Sequence, residues 1–216
     1  MIKNVLFDLD GTLSDSSIGV IGCFQHTLGM LAGPHYTEEA IIRHVGTPLR
    51  RIFASLLDTV DAGIIDRAVA IFREKYAEIG ITGNALYPGI RNVLADLHND
   101  RLTLFVVTMK NKNDAGKVID FLGLNTFFTG VYGPDASGFP ERKALLIETV
   151  LQEHCLKQAE TVMIGDRKED IIAGKDAGTR TIGITWGFGS RQELEDVKPD
   201  GICRAVGELL SVIRRQ

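Results

Sequence analysis

Short apolar runs rich in β-branched residues alternate with segments of helical period along most of this chain, and that alternation admits few folds. Ile2 to Phe7 predicts a first strand. Leu102 to Val107 is an almost unbroken apolar run and predicts a central strand buried on both faces. Phe127 to Tyr132, Thr161 to Ile164 and Thr179 to Ile184 supply three more. Between them lie helical segments. One opens at Pro88 and carries Ile90, Val93, Leu94 and Leu97 on one face. A second, from about Lys112, repeats the spacing at Ala115, Val118, Ile119 and Leu122 and stops at Gly123. A third begins near Pro140 and uses Ala144, Ile147 and Leu151. The pattern predicts an α/β fold with a doubly wound parallel sheet.

The stretch 15–84 breaks the alternation. It holds no strand signal, yet Ser16–Leu31, Thr37–His44, Pro48–Leu57 and Asp61–Ile79 all have helical character. It is expected to be a helical insertion, with 1–14 and 85–216 forming the α/β core. The 216 residues, 44% hydrophobic and 24% charged, suffice for one core plus such an insertion.

Composition narrows the partners. A net charge of −4 and the absence of a Lys/Arg-rich run leave no basic face for a phosphate backbone, so no nucleic-acid partner is expected. Cys23, Cys155 and Cys203 are odd in number and widely spaced, which suits free thiols in a reducing compartment. There is no leader-like segment, and no apolar run approaches the roughly 18 residues of a membrane span. The expectation is a cytoplasmic protein with no membrane partner, acting as a monomer or homodimer on a small molecule.

In open α/β sheets, ligands bind beyond the carboxyl ends of the strands. Three such ends carry chemistry here: Asp8-Leu9-Asp10-Gly11-Thr12, then Thr108-Met109-Lys110, then Gly165-Asp166 with Asp170 four residues on. A single Asp after a strand is an ordinary cap or turn residue. Four acids at converging strand ends are not explained that way. Asp8 and Asp10, two apart in an extended segment, lean the same way and repel unless a cation or shared proton reconciles them. Oxygen donors without a nearby His or Cys point to magnesium (Mg2+) rather than zinc, with Asp166 completing the set and Asp170 orienting a ligand. Lys143 sits in the first turn of a helix, where the dipole disfavours a cation. Such a breach of local preference marks a functional residue, one that neutralises Asp8 and a bound phosphate together. Lys110 and Lys112 are the alternatives for that role.

These residues resemble the motifs of the haloacid dehalogenase-like hydrolase superfamily. The opening V-L-F-D-L-D-G-T-L is similar to its first motif, Thr108 to its second, Lys143 to its third and G-D-R-K-E-D to its fourth, in the expected order over the whole chain. The order of elements is closest to the phosphoglycolate-phosphatase-like branch. The resemblance implies a Rossmann-like core with a mobile helical cap, and a magnesium-dependent phosphatase acting on a small soluble phosphate monoester. It makes Asp8 the nucleophile of an aspartyl-phosphate intermediate and Asp10 the general acid/base. Thr108 and Lys143 hold the phosphoryl oxygens, and Asp8, the backbone carbonyl of Asp10, and Asp166 hold the metal. Two departures stand out: Met109 replaces the usual small polar residue, and Lys143 is followed by Ala144 rather than proline. A phosphomutase of the same fold and a catalytically silent binding module are the other readings. The silent module is disfavoured because no nucleophile or ligand is missing. In the insertion, Arg43 and Arg50 flank a Gly46/Pro48 loop and are expected to grip an anionic part of the substrate.

Overall fold

The computed structural model describes residues 1–216. Strands β1 (Asn4–Phe7), β4 (Thr103–Val107), β5 (Gly130–Tyr132), β6 (Thr161–Gly165), β7 (Arg180–Ile184) and β8 (Gly201–Cys203) form one sheet in the order β5-β4-β1-β6-β7-β8. Every pairing in it is parallel. The chain runs outward from β1 through β4 to β5, then crosses back to β6 on the other side of β1, so the topological switch lies between β1 and β6, where a doubly wound sheet opens its crevice. Helices α5 (Ile90–Asn99), α6 (Lys112–Phe121) and α10 (Leu209–Arg214) cover one face. Helices α7 (Lys143–Glu153) and α8 (Lys168–Asp176) cover the other, and α9 (Arg191–Asp196) follows β7.

Strand periodicity explains the two layers. Val5 and Phe7 join the α5 side with Val106 and Ile164, while Leu6 joins the α7 side with Phe105, Val107 and Met163. Both faces are apolar because both are covered, as the unbroken apolar runs predict.

Helices α1 (Ser17–Met30), α2 (Glu38–Ile42), α3 (Leu49–Leu56) and α4 (Ala62–Lys75) enclose a separate apolar cluster centred on Phe24, Phe53 and Phe72. A π-helical turn, Tyr76–Gly80, continues α4. This segment leaves and rejoins the sheet at one place, where β2 (Ser14–Asp15) pairs antiparallel with β3 (Ala85–Leu86). No helix is long and apolar enough to cross a membrane.

Differences from the expected boundaries have local causes. Thr37 and Asp61 lie just outside their helices as caps: the Thr37 hydroxyl accepts from the Ala40 N–H, and the Asp61 carboxylate from Gly63 and Ile64. The third core helix starts at Lys143, not near Pro140, because the Asp135 carboxylate accepts from the Ser137 and Phe139 N–H groups and folds that segment as its own turn. Phe127 closes a turn, its N–H donating to the Leu124 carbonyl, so β5 starts only at Gly130. Strand β8, three residues with a glycine, carries too little apolar signal to be read in advance.

Candidate active site

Asp8 directly follows β1, is 4% exposed, and lines a cleft of about 570 Å3 between the sheet edge and the helical segment. Its Oδ1 accepts from the Lys143 ammonium at 2.7 Å. Lys143 is the first residue of α7 and also donates to the Asp170 carboxylate. Two anions on this lysine explain why a buried cation is tolerated where the helix dipole opposes one. Burial works against the charge on Lys143, but Asp170 and Asp8 outweigh it and hold the ammonium above its ordinary range.

Carboxylate oxygens of Asp8, Asp166 and Asp170 all lie within 4.8 Å of one another, and all three residues are buried. Burial, with the negative charge of Asp170 added, pushes Asp8 up to about 7, against the pull of Lys143. Burial pushes Asp166 up to about 8, helped by Asp170 and Asp8 and opposed by two backbone N–H groups. One lysine against three carboxylates leaves the cluster short of positive charge. Its donors are all hard oxygens, so the residues fit a magnesium ion.

Asp166 is held from three sides. Its Oδ1 accepts from the Thr12 hydroxyl at 3.2 Å, and its Oδ2 accepts from the N–H groups of Phe188 at 2.7 Å and Gly189 at 3.2 Å. Asp170 both caps α8, accepting from the Arg167 N–H at 3.0 Å, and binds Lys143. One carboxylate therefore caps the helix and pairs with the buried lysine at once. Gly11, at φ +85°, packs directly against Asp166, so a Cβ there would drive into the carboxylate.

Asp10 faces the cleft and engages a different lysine. Its Oδ2 accepts from Lys110 Nζ at 2.6 Å, while Oδ1 is buried without a partner. Thr108 is 2% exposed, and its hydroxyl oxygen accepts from the Lys110 N–H at 3.2 Å, leaving its own proton to donate into the cleft. Met109 is half-buried and lines the same space. Lys112 lies over the Tyr132 ring, 5.7 Å from its centroid.

The opposite wall comes from the helical segment. Arg50 and Arg51 are exposed and line the cleft, and Arg50 pairs with Asp66. Arg43 is exposed but does not line the cleft, and its backbone carbonyl accepts from the Arg167 guanidinium at 3.2 Å. The structure thus brings Asp8, Asp10, Thr108, Lys143, Asp166 and Asp170 together and leaves Arg43 apart. Sequence reading missed Thr12, the two N–H groups at Phe188 and Gly189, and Tyr76. The Gly187-Phe188-Gly189 loop carried a usable signal, since only glycine lets the backbone approach Asp166 so closely at 187 and 189.

The model of the family described as haloacid dehalogenase-like hydrolase matches residues 5–184. The chain is 30% identical to a phosphoglycolate phosphatase of Vibrio parahaemolyticus, covering 98% of this chain and 96% of that one. It is 31% identical to a pyrophosphatase of Anoxybacillus flavithermus, covering 98% and 97%. A crystal structure of a predicted phosphatase from Clostridium acetobutylicum superposes with a TM-score of 0.95 at 28% identity over the full length of both chains. With its acidic strand ends, buried lysine and parallel six-stranded sheet, the chain belongs to the haloacid dehalogenase-like hydrolases, in their phosphoglycolate-phosphatase-like branch.

Proposed function

We propose that this phosphatase is magnesium-dependent and hydrolyses a small soluble phosphate monoester through an aspartyl-phosphate on Asp8. The observation that carries the reading is the Asp8 carboxylate on the cleft wall, ion-paired to buried Lys143 and flanked by Asp166 and Asp170. Lys143 engages Oδ1, which leaves Oδ2 to attack phosphorus while the ester P–O bond breaks. The leaving oxygen takes a proton from Asp10. In the second step Asp10 removes a proton from water, which attacks the aspartyl-phosphate, releases phosphate and restores Asp8. Thr108 and Lys143 donate to the phosphoryl oxygens throughout. Asp8, Asp166 and the Asp10 backbone carbonyl would hold magnesium, which when bound supplies charge neutralisation at the phosphoryl group. Residues 15–84 act as the cap that shields the cleft from water.

Acid-quenched enzyme, reduced at the acyl-phosphate and mapped by mass spectrometry, is expected to carry the mark on Asp8. A mark on Asp166 or Asp170 overturns the assignment.

Metal and proton compete for the same oxygens, which makes stability a readout independent of turnover. Asp8 and Asp166 titrate higher in the folded chain than their ordinary 3.8. Between about pH 4 and 8 the folded state therefore holds more protons than the unfolded one, and stability without metal falls as pH rises. Melting in chelator is expected to drop from pH 5 to pH 8. Magnesium at 100 times its Kd is expected to restore about 2.7 kcal/mol at pH 8, roughly 5–10 °C for a chain of this length, and much less at pH 5. A magnesium shift equal at both pH values contradicts binding at these carboxylates.

Substrate selection is proposed to lie with Arg50 at the cleft wall, with Arg43 joining from outside it on cap movement. Arg50→Ala is expected to raise KM for phosphoglycolate about tenfold, the loss of one charge-assisted contact. An aryl phosphate with no second anion is expected to be unaffected. Equal losses on both substrates place Arg50 in folding or closure rather than selection, and Arg43→Ala, measured in parallel, reports on the second guanidinium.

A further inference from the structure

Lys110 is absorbed by none of the roles above, yet its side chain is 9% exposed and its ammonium sits 2.6 Å from Asp10 Oδ2. The same ammonium lies over the ring of Tyr76, 4.7 Å from its centroid. Tyr76 is on the π-helical turn of the helical segment and is 3% exposed. Its hydroxyl accepts from Asn84 Nδ2 at 3.3 Å, and Asn84 Oδ1 accepts from the Ser14 hydroxyl at 3.3 Å. Ser14 belongs to β2, and Asn84 immediately precedes β3. A continuous chain of side chains therefore runs from Asp10 through Lys110 and Tyr76 to the ribbon on which the helical segment joins the sheet.

A cation so deeply buried needs a partner on every open side. Asp10 supplies one side and the Tyr76 face another, the electron-rich surface a cation prefers. Lys110 fills Oδ2 of Asp10, and Oδ1 is the oxygen left without a partner. That division fixes the rotation of the carboxylate, because Oδ2 cannot turn toward the cleft without breaking the ion pair. The socket is shared: its anion comes from the sheet edge and its ring from the helical segment. The ring is present only when the segment stands over the sheet as it does here.

We propose that Lys110 is the positioning residue for Asp10, holding Oδ1 toward the leaving oxygen, and that Tyr76 completes the socket so that cap closure and acid/base readiness are one event. This rests on Asp10 being the proton donor. The consequence depends on the leaving group. An alkyl phosphate needs its leaving oxygen protonated as the P–O bond breaks, and the bonding pair would otherwise form a strong alkoxide base. p-Nitrophenyl phosphate expels a stabilised phenolate that needs no proton. Mispositioning Asp10 therefore slows phosphoryl transfer from the first substrate and spares that step for the second, while hydrolysis of the aspartyl-phosphate, common to both, slows alike.

The test compares kcat/KM, which reports the leaving-group step and not hydrolysis of the shared intermediate, on phosphoglycolate and p-nitrophenyl phosphate for the magnesium-loaded enzyme and its Lys110→Met, Lys110→Gln, Tyr76→Leu and Asp10→Asn variants. Lys110→Met and Lys110→Gln are expected to lose about 10²-fold in kcat/KM on phosphoglycolate and less than about threefold on the aryl ester, while kcat, which includes the shared hydrolysis step, falls on both. Retained aryl activity shows that each variant is folded. Tyr76→Leu is expected to show the same selectivity at smaller size, and Tyr76→Phe, which keeps the ring, to remain near wild type. Asp10→Asn separates the two levels of inference. If it too spares the aryl ester while Lys110→Met slows both substrates equally, Lys110 is structural and the proposal fails. If Asp10→Asn shows no leaving-group selectivity, the donor role itself is wrong. Equal losses in Tyr76→Leu on both esters remove the cap from the coupling.

Discussion

Asp8→Asn is expected to lower phosphatase activity by at least about 10⁴-fold, because a neutral amide oxygen cannot form the acyl-phosphate and nothing else in the cleft can replace it. The same change is expected to leave the metal-free protein at pH 8 no less stable than wild type. The reason lies in the charge balance beneath the cleft. Burial and Asp170 outweigh Lys143 at Asp8, which is why its carboxyl is pushed up to about 7. A neutral side chain of the same shape therefore relieves a cost the ionised one imposes at pH 8, and Lys143 keeps Asp170 as its partner. Melting curves in chelator and a steady-state assay on one preparation check both halves. Lost activity together with a melting point several degrees below wild type would mean that the Asp8–Lys143 pair is structural before it is catalytic. Magnesium affinity is expected to fall as well, since one of its proposed oxygen donors becomes neutral.

The sheet and the polar residues at its edge were legible in the sequence for one reason. A strand buried on both faces must be apolar throughout, so Val5-Leu6-Phe7 and Leu104 to Val107 stand out, and the first polar residue after each run marks its carboxyl end. Asp8, Thr108 and Asp166 all fall at that position. Lys143 was legible by a different route, as a cation where a helix dipole disfavours one. The residues that escaped have no such local mark. Tyr76 matches the apolar face of its helix and packs against Phe72, so its aromatic face toward Lys110 is invisible in one dimension. Lys110 was named only as a stand-in for Lys143, because spacing says that a lysine lies near the edge but not which acid it meets. Asp170 was read as orienting a ligand, but its direct partners, Lys143 and the Arg167 N–H, were not legible, because those contacts are set by how α7 and α8 pack on β6. Arg43 and Arg50 looked equivalent in sequence. The turn at Gly46, with φ +94°, and the start of α3 at Leu49 separate them, bringing only Arg50 to the cleft.

Lys143→Met is expected to be the most damaging single change to the fold of this site. The methionine keeps the apolar stem but leaves Asp8 and Asp170 buried without their shared cation, beside Asp166. Breaking a buried ion pair by removing one partner costs about 3–5 kcal/mol, because the surviving charge cannot return to water. That cost depends on pH in a direction the site itself sets. Near pH 5 the carboxyls of Asp8 and Asp166, already held above the ordinary range, are protonated in the folded chain and need no cation. Near pH 8 the folded chain without Lys143 must either bind protons against the bulk or bury bare charge, and either course favours unfolding. Urea midpoints in chelator are therefore expected to separate less between variant and wild type at pH 5, where the loss of the Asp170 partner remains, than at pH 8. A loss equal at both pH values would assign the effect to packing of the lysine stem instead of its charge. Magnesium is expected to recover part of the stability at pH 8, since it supplies positive charge to the same oxygens. Activity is expected to stay lost, because Lys143 is also the proposed donor to the phosphoryl group. Lys143→Arg separates these duties: the positive charge returns, but a guanidinium does not fit a socket where the lysine is only 7% exposed between two carboxylates. Stability that recovers further than turnover in that variant would show that position, and not charge alone, makes the lysine catalytic.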